Sequence, residues 1–115
     1  MFDVQSGADL KGTSNGGADA DVLNVLAGST LSGIFIGDAG ADALNISGTV
    51  TGTVNGGDDV DTFTIASGST TAGATLNGDA GADVFDVQSG ADLGGTTTGG
   101  AGADVFNLAS GSTLS

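Results

Sequence analysis

A ten-residue phrase recurs five times along this chain at nearly even spacing, and that recurrence limits the fold more tightly than any other feature. The copies are Gly16-Gly-Ala-Asp-Ala-Asp-Val-Leu-Asn-Val25, Gly37-Asp-Ala-Gly-Ala-Asp-Ala-Leu-Asn-Ile46 and Gly56-Gly-Asp-Asp-Val-Asp-Thr-Phe-Thr-Ile65. Two more follow, Gly78-Asp-Ala-Gly-Ala-Asp-Val-Phe-Asp-Val87 and Gly99-Gly-Ala-Gly-Ala-Asp-Val-Phe-Asn-Leu108, and a half copy, Phe2-Asp-Val4, precedes them all. The Asp common to the five copies steps by 21, 19, 22 and 21 residues. A unit this short cannot bury its own apolar face, so copies must stack, and the expected fold is an all-β, parallel β-solenoid.

The period divides into a rung of two strands and two turns. Asp83, Phe85 and Val87 alternate with their neighbours and so share one face of a first strand. A turn follows at Ser89-Gly-Ala-Asp92, matched by Ala27–Thr30, Ser67–Thr70 and Ser110–Thr113. A second strand then directs Leu93, Gly95 and Thr97 inward, as do Leu31, Gly33 and Phe35, and Val50, Gly52 and Val54. In the longest rung the series is Thr71, Gly73 and Leu76, with one residue of slack; the shortest rung loses two residues at its Ser47-Gly48 turn.

Stacking sets Phe2, Leu23, Leu44, Phe63, Phe85 and Phe106 in one inner column, beside Val4, Val25, Ile46, Ile65, Val87 and Leu108. Asp3, Asn24, Asn45, Thr64, Asp86 and Asn107 form an outer column suited to amide hydrogen bonds. The glycines at 12, 33, 52, 73 and 95 either make room for large side chains or mark a bend. The result is one array over residues 1–115, with rungs near 15–35, 36–54, 55–76 and 77–97 and partial ones at 1–14 and 98–115. Rungs about 4.8 Å apart give a rod of roughly 25 Å.

Composition then limits function. All fourteen acidic residues are Asp, Lys11 is the single base, and the net charge is −13. Such a chain repels phosphate backbones and anionic lipids, so neither nucleic-acid binding nor membrane insertion is expected. There is no His, Cys, Glu, Tyr, Trp or Arg to serve as base, nucleophile or sugar platform, and the paired Asp residues repeat without any one cleft being singled out, so no enzyme is expected.

The Gly-Asp turns hold what chemistry there is. Stacking brings Asp21, Asp42, Asp61, Asp83 and Asp104 into a file, and Asp19, Asp38, Asp58, Asp59 and Asp79 join them, so ten of the fourteen acids crowd one edge. An edge of this kind needs screening by salt or neutralisation by cations, and all-oxygen donors on flexible turns suit Ca²⁺ better than octahedral Mg²⁺.

These turns resemble the Gly-Gly-x-Gly-x-Asp-x-Leu-x nonapeptide of RTX proteins, a Ca²⁺-binding β-roll repeat. The resemblance implies a right-handed roll, with carboxylate ligands at Asp21, Asp42, Asp61, Asp83 and Asp104 and carbonyl ligands at Gly16, Gly37, Gly56, Gly78 and Gly99. The chain departs from that pattern in carrying one copy per rung, with Ser-Gly-Ser-Thr at the opposite turn. Its texture over all 115 residues is also similar to the Gly/Asp/Thr-rich solenoids of bacterial autotransporters and giant adhesins.

A second period lies over the first. Phe2–Leu10 recurs unchanged at Phe85–Leu93, and Gly16–Ser32 closely matches Gly99–Ser115. Strand edges open at both ends invite another copy, so the expected partner is the chain itself, head to tail or in a longer array. The expected role is a structural repeat of a bacterial extracellular fibre, matrix filament or surface adhesin. The alternative is a Ca²⁺-responsive folding module of a secreted RTX-like protein; an ice- or glycan-binding Thr face is weaker still, because Asp9 and Asp92 interrupt the Thr row.

Overall fold

The computed structural model describes residues 1–115 and contains strands and turns but no helix. Every strand pairing is parallel, so the chain is a β-solenoid of about five turns. Each full rung has three paired segments rather than two, the middle one reduced to a single bridge in the longest rung. The first sheet stacks Phe2–Val4, Val22–Val25, Ala43–Ile46, Thr62–Ile65, Val84–Val87 and Val105–Leu108. The second is narrow: Asp9–Leu10, Thr30–Leu31 and Thr49–Val50 connect through single bridges at Thr70 to Asp92–Leu93 and Thr113–Leu114. The third holds Thr13–Gly17, Ile34–Ala39, Thr53–Asp58, Thr75–Ala80 and Thr96–Ala101.

The expected second strand is thus broken in two at the glycine column, and the bend is what those glycines serve. A Cβ on Gly33 or Gly52 would overlap the carbonyl of Gly12 or Gly33 in the rung before, so backbone rather than Phe or Leu fills that space. Pairing of Thr53 with Thr75 and of Thr75 with Thr96 puts Ala74, not Gly73, in this column. Ala72 and Gly73 are the slack, looped out beneath an Ala74 N–H to Thr71 carbonyl bond.

The first sheet has the expected register. Phe2, Leu23, Leu44, Phe63, Phe85 and Phe106 pair in sequence, as do Val4, Val25, Ile46, Ile65, Val87 and Leu108. Phe63 and Phe85 stack with centroids 4.4 Å apart, and Phe85 and Phe106 at 4.6 Å. The third sheet supplies the complement. Phe35 lies in its inner column where the first sheet carries Leu23 and Leu44; Val54 and Leu76 lie there where the first sheet carries Phe63 and Phe85. Phe35 also meets the Phe2 ring edge-on, centroids 5.3 Å apart.

Asn45 donates to Asn24 at 2.9 Å and Asn24 to Asp3 at 2.8 Å, so the expected outer ladder forms over its first three residues and not at Thr64, Asp86 and Asn107; Asn77 donates to Asn55 on the third sheet. The inward Thr of the longest rung is buried in the core as expected. Thr71 occupies the inner column of the second sheet, fully buried, where other rungs place Leu or Val. Its hydroxyl donates to the Gly94 carbonyl at 3.1 Å and accepts the Gly94 N–H at 3.0 Å, closing both groups. Thr71→Val keeps the shape but strands both Gly94 groups, so chemical denaturation should show a loss of about 1–3 kcal/mol.

Candidate functional site

The Gly-Asp turns form the corner between the third sheet and the next rung's first sheet. The structure divides their ten carboxylates into two sets instead of crowding all of them on one outer edge. Parity explains the division: the Asp common to the copies lies two residues before the buried Phe or Leu and so faces inward with it. Asp42, Asp61 and Asp83 are at most 2 % exposed, while Asp21 and Asp104 at the ends of the file are half-buried. Asp19, Asp38, Asp58, Asp59 and Asp79 are exposed.

Each file carboxylate reaches back one rung. Asp42 Oδ1 accepts the Asp21 N–H at 2.7 Å, Asp61 Oδ1 that of Asp42 at 2.8 Å, Asp83 Oδ1 that of Asp61 at 2.8 Å, and Asp104 Oδ1 that of Asp83 at 3.0 Å. The other oxygen, Oδ2 of Asp42, Asp61 and Asp83, is buried without a partner. It lies against the repeat's first glycine. A Cβ on Gly37, Gly56 or Gly78 would collide with Oδ2 of Asp42, Asp61 or Asp83 and crowd the carbonyl of the next rung's Gly56, Gly78 or Gly99. Gly16 and Gly99 stand in the same relation to Asp21 and Asp104. The missing side chain of each glycine is therefore the space its own carboxyl group fills.

Burial pushes the Asp61 carboxyl from 3.8 up to about 7, with one backbone hydrogen bond from Asp42 opposing and the charges of Asp42, Asp83 and Asp59 adding. Burial likewise raises Asp42 and Asp83, against the hydrogen bonds from Asp21 and Asp61 respectively; Asp21 and Asp38 add to the first shift, Asp104 and Asp79 to the second. Carboxylates stacked about 4.8 Å apart repel by roughly 3.5 kcal/mol at an effective dielectric of 20. No base offsets this. Lys11 lies 3.8 Å from Asp9, and the Met1 amine reaches only Asp21, at 3.8 Å.

Four of the five exposed carboxylates are spread over two columns, and Asp58, next to Asp59, stands between them. One column reads Gly17, Asp38, Gly57, Asp79, Gly100 by strand register. Two residues later the order inverts to Asp19, Gly40, Asp59, Gly81. Within either column, acids stand two rungs apart, about 9.6 Å, which exceeds the screening length of roughly 8 Å at physiological salt. Asp38, Asp59 and Asp79 hold φ of 77°, 76° and 74°, a left-handed conformation that Asp adopts more readily than most residues.

In the inner file each carboxyl keeps one oxygen free, beside a glycine carbonyl of the next rung. Ca²⁺ takes six to eight oxygens; the file offers one free carboxyl oxygen and one glycine carbonyl per rung, the other carboxyl oxygen accepting an N–H. The glycines carried over as carbonyl ligands also make room for the carboxyls. One signal for this was present in the sequence: in all five copies the Gly and the Asp stand five residues apart. Comparison with family models, curated proteins and solved structures finds no match to this chain.

Proposed function

We propose that this chain is a structural rod, a spacing or load-bearing repeat of a bacterial extracellular fibre, matrix filament or surface adhesin, which lengthens by stacking on a second copy. One observation carries the reading: the rungs stack in parallel register, and the first sheet's inner columns hold only apolar side chains from Phe2 to Phe106 and from Val4 to Leu108. Phe106, Leu108 and Leu114 remain 42, 49 and 68 % exposed at one end, and Phe2 and Leu10 are half-covered at the other. Because Phe2–Leu10 repeats Phe85–Leu93, a copy placed with Phe2 over Phe106 reproduces the internal step from Phe63 to Phe85.

Backbone pairing across that junction runs through the first and second sheets. The third has five strands against six and contributes none, so the contact is weaker than an internal step. A heterologous contact of this kind gives an open fibre rather than a closed pair. Repulsion between copies of charge −13 opposes it, and salt relieves that repulsion.

Calcium-responsive folding is the second reading. A shallow outer cup lined by Asp38, Asp58 and Asp79 supports it, a place for a hydrated cation among spread carboxylates. Sedimentation velocity across concentration, with electron microscopy, tests both readings. Length should grow with protein and with NaCl. A species that stays at 10.8 kDa under all conditions overturns stacking. Growth or a raised melting midpoint with CaCl₂, but not with MgCl₂ at equal ionic strength, would favour the second reading.

A further inference from the structure

We propose that the outer face of the third sheet is an ice-binding surface, on which ranks of Thr and Asn hold water at the spacings of the ice lattice. It needs only the fold of one rod and stands whether or not copies stack.

The face exists because the expected second strand divides. Past the glycine bend, strands of five or six residues lie in parallel register with Phe35, Val54 and Leu76 turned inward. Alternation then turns two columns outward. In one, every position from Thr13 to Thr96 is Thr except Ile34. In the other, Asn15, Asn55 and Asn77 lead to Thr98, with Ile36 the exception. All of these side chains are exposed or half-buried. None is charged, in a chain that carries fourteen Asp residues. The other two sheets differ: the first has Asp3 and Asp86 in its outer column, and the second has Asp9 and Asp92 in its Thr row.

Hydrogen-bonded water oxygens stand about 2.75 Å apart, so in a tetrahedral network two that share a neighbour stand about 4.5 Å apart. Rungs about 4.8 Å apart repeat the Thr hydroxyls at nearly that distance, and the drift over four steps is about 1.2 Å, well under half a spacing. Along the strand the two columns lie about 6.6 Å apart, against about 7.3 Å between equivalent layers of the same lattice, a difference that a single step absorbs. Rigidity holds the ranks in place. Thr is stiff at χ1, and Asn77 donates to Asn55 at 2.8 Å, which aligns the two amides. A Thr hydroxyl both donates and accepts, so it can take the place of a lattice water. The face has no aromatic ring on which a sugar could stack, and only Ile34 and Ile36 would draw a second copy against it.

Nanolitre osmometry of the full chain tests the face. The wild type should shape ice crystals and hold a gap between melting and freezing that widens with protein concentration. Thr75→Tyr raises a ring over the centre of the face and should remove most of that gap. Thr49→Tyr adds the same ring to the second sheet's Thr row and should leave it. Ile34→Thr combined with Ile36→Asn completes both ranks and should widen it. Circular dichroism accompanies each variant, and Thr75→Lys replaces Thr75→Tyr if the ring disturbs the fold.

A wild type that leaves ice growth unaltered overturns the proposal. So does a folded Thr75→Tyr protein that keeps the full gap, an equal loss in Thr49→Tyr, or a narrower gap once the ranks are completed. Sideways pairing of rods in sedimentation that Thr75→Tyr abolishes, with no effect on ice, gives the face to a second copy and overturns it as well.

Discussion

Phe63→Asp should abolish the cooperative β-sheet transition altogether, whereas Phe63→Leu should melt within a few degrees of wild type. Phe63 is fully buried, stacked on Phe85 and paired with Leu44 on the rung before. Truncating a buried Phe alone costs about 3–5 kcal/mol. An Asp at this position adds a charge among Leu44, Val54 and Phe85 with no N–H free to meet it, because the neighbouring backbone groups are committed to the ladder. Against a total of about 5–15 kcal/mol for a domain, that sum leaves no folded rod. Leu is already used in this column at 23 and 44, so the core accepts its volume. Far-UV circular dichroism with thermal melts checks both variants. A folded Phe63→Asp protein would mean that the column is not the core.

The contrast between position 63 and the Asp file shows how far side-chain pattern could be read from the sequence. Columns on the first sheet were legible because four-residue strands alternate with period two, so parity alone sorts Phe85 and Val87 from Asp86. The inner residues Leu31, Val50 and Leu93 of the second sheet were legible, but not its separation from the third, because its strands are two residues long and two residues cannot display a period. The corner that separates it from the third sheet is backbone packed on backbone, and the same glycines could equally have signalled clearance. The 22-residue step from Asp61 to Asp83 hid a slip that only hydrogen bonding locates, with Ala74 and not Gly73 in the column.

The candidate site was half legible. Parity already put the repeated Asp on the inner face, yet an inward carboxylate every rung is improbable unless something receives it. What receives it is the next Asp's neighbour in space, a backbone N–H on the rung before, and main-chain donors leave no trace in residue identity. Thr71 is a similar case: a lone Thr in a Leu/Val column looks like a weak substitution until its two bonds to Gly94 are seen.

Gly78→Ala should be among the most damaging single-methyl additions in the chain, costing about 3 kcal/mol or more, at the upper end of overpacking effects. Backbone strain is not the cause, since Gly78 is absent from the residues of positive φ. Space is the cause: the new methyl would overlap the Asp83 carboxyl and the Gly99 carbonyl, one a buried side chain and the other main chain of the next rung. Gly68→Ala separates the two effects. Gly68 has φ of 82° with open space around its Cα, so it pays only the left-handed penalty, about 1–2 kcal/mol. Denaturant unfolding should therefore rank Gly78→Ala well below Gly68→Ala in stability. The pairing of glycine with carboxyl has a further consequence. In an Asp83→Ala background the carboxyl that fills this corner is gone, so adding the methyl at position 78 should cost less than it does in wild type. The two changes should couple favourably by about 0.5–3 kcal/mol, the range for residues that share one space. Strict additivity would show that the glycine at the head of each copy is kept for something other than its own aspartate.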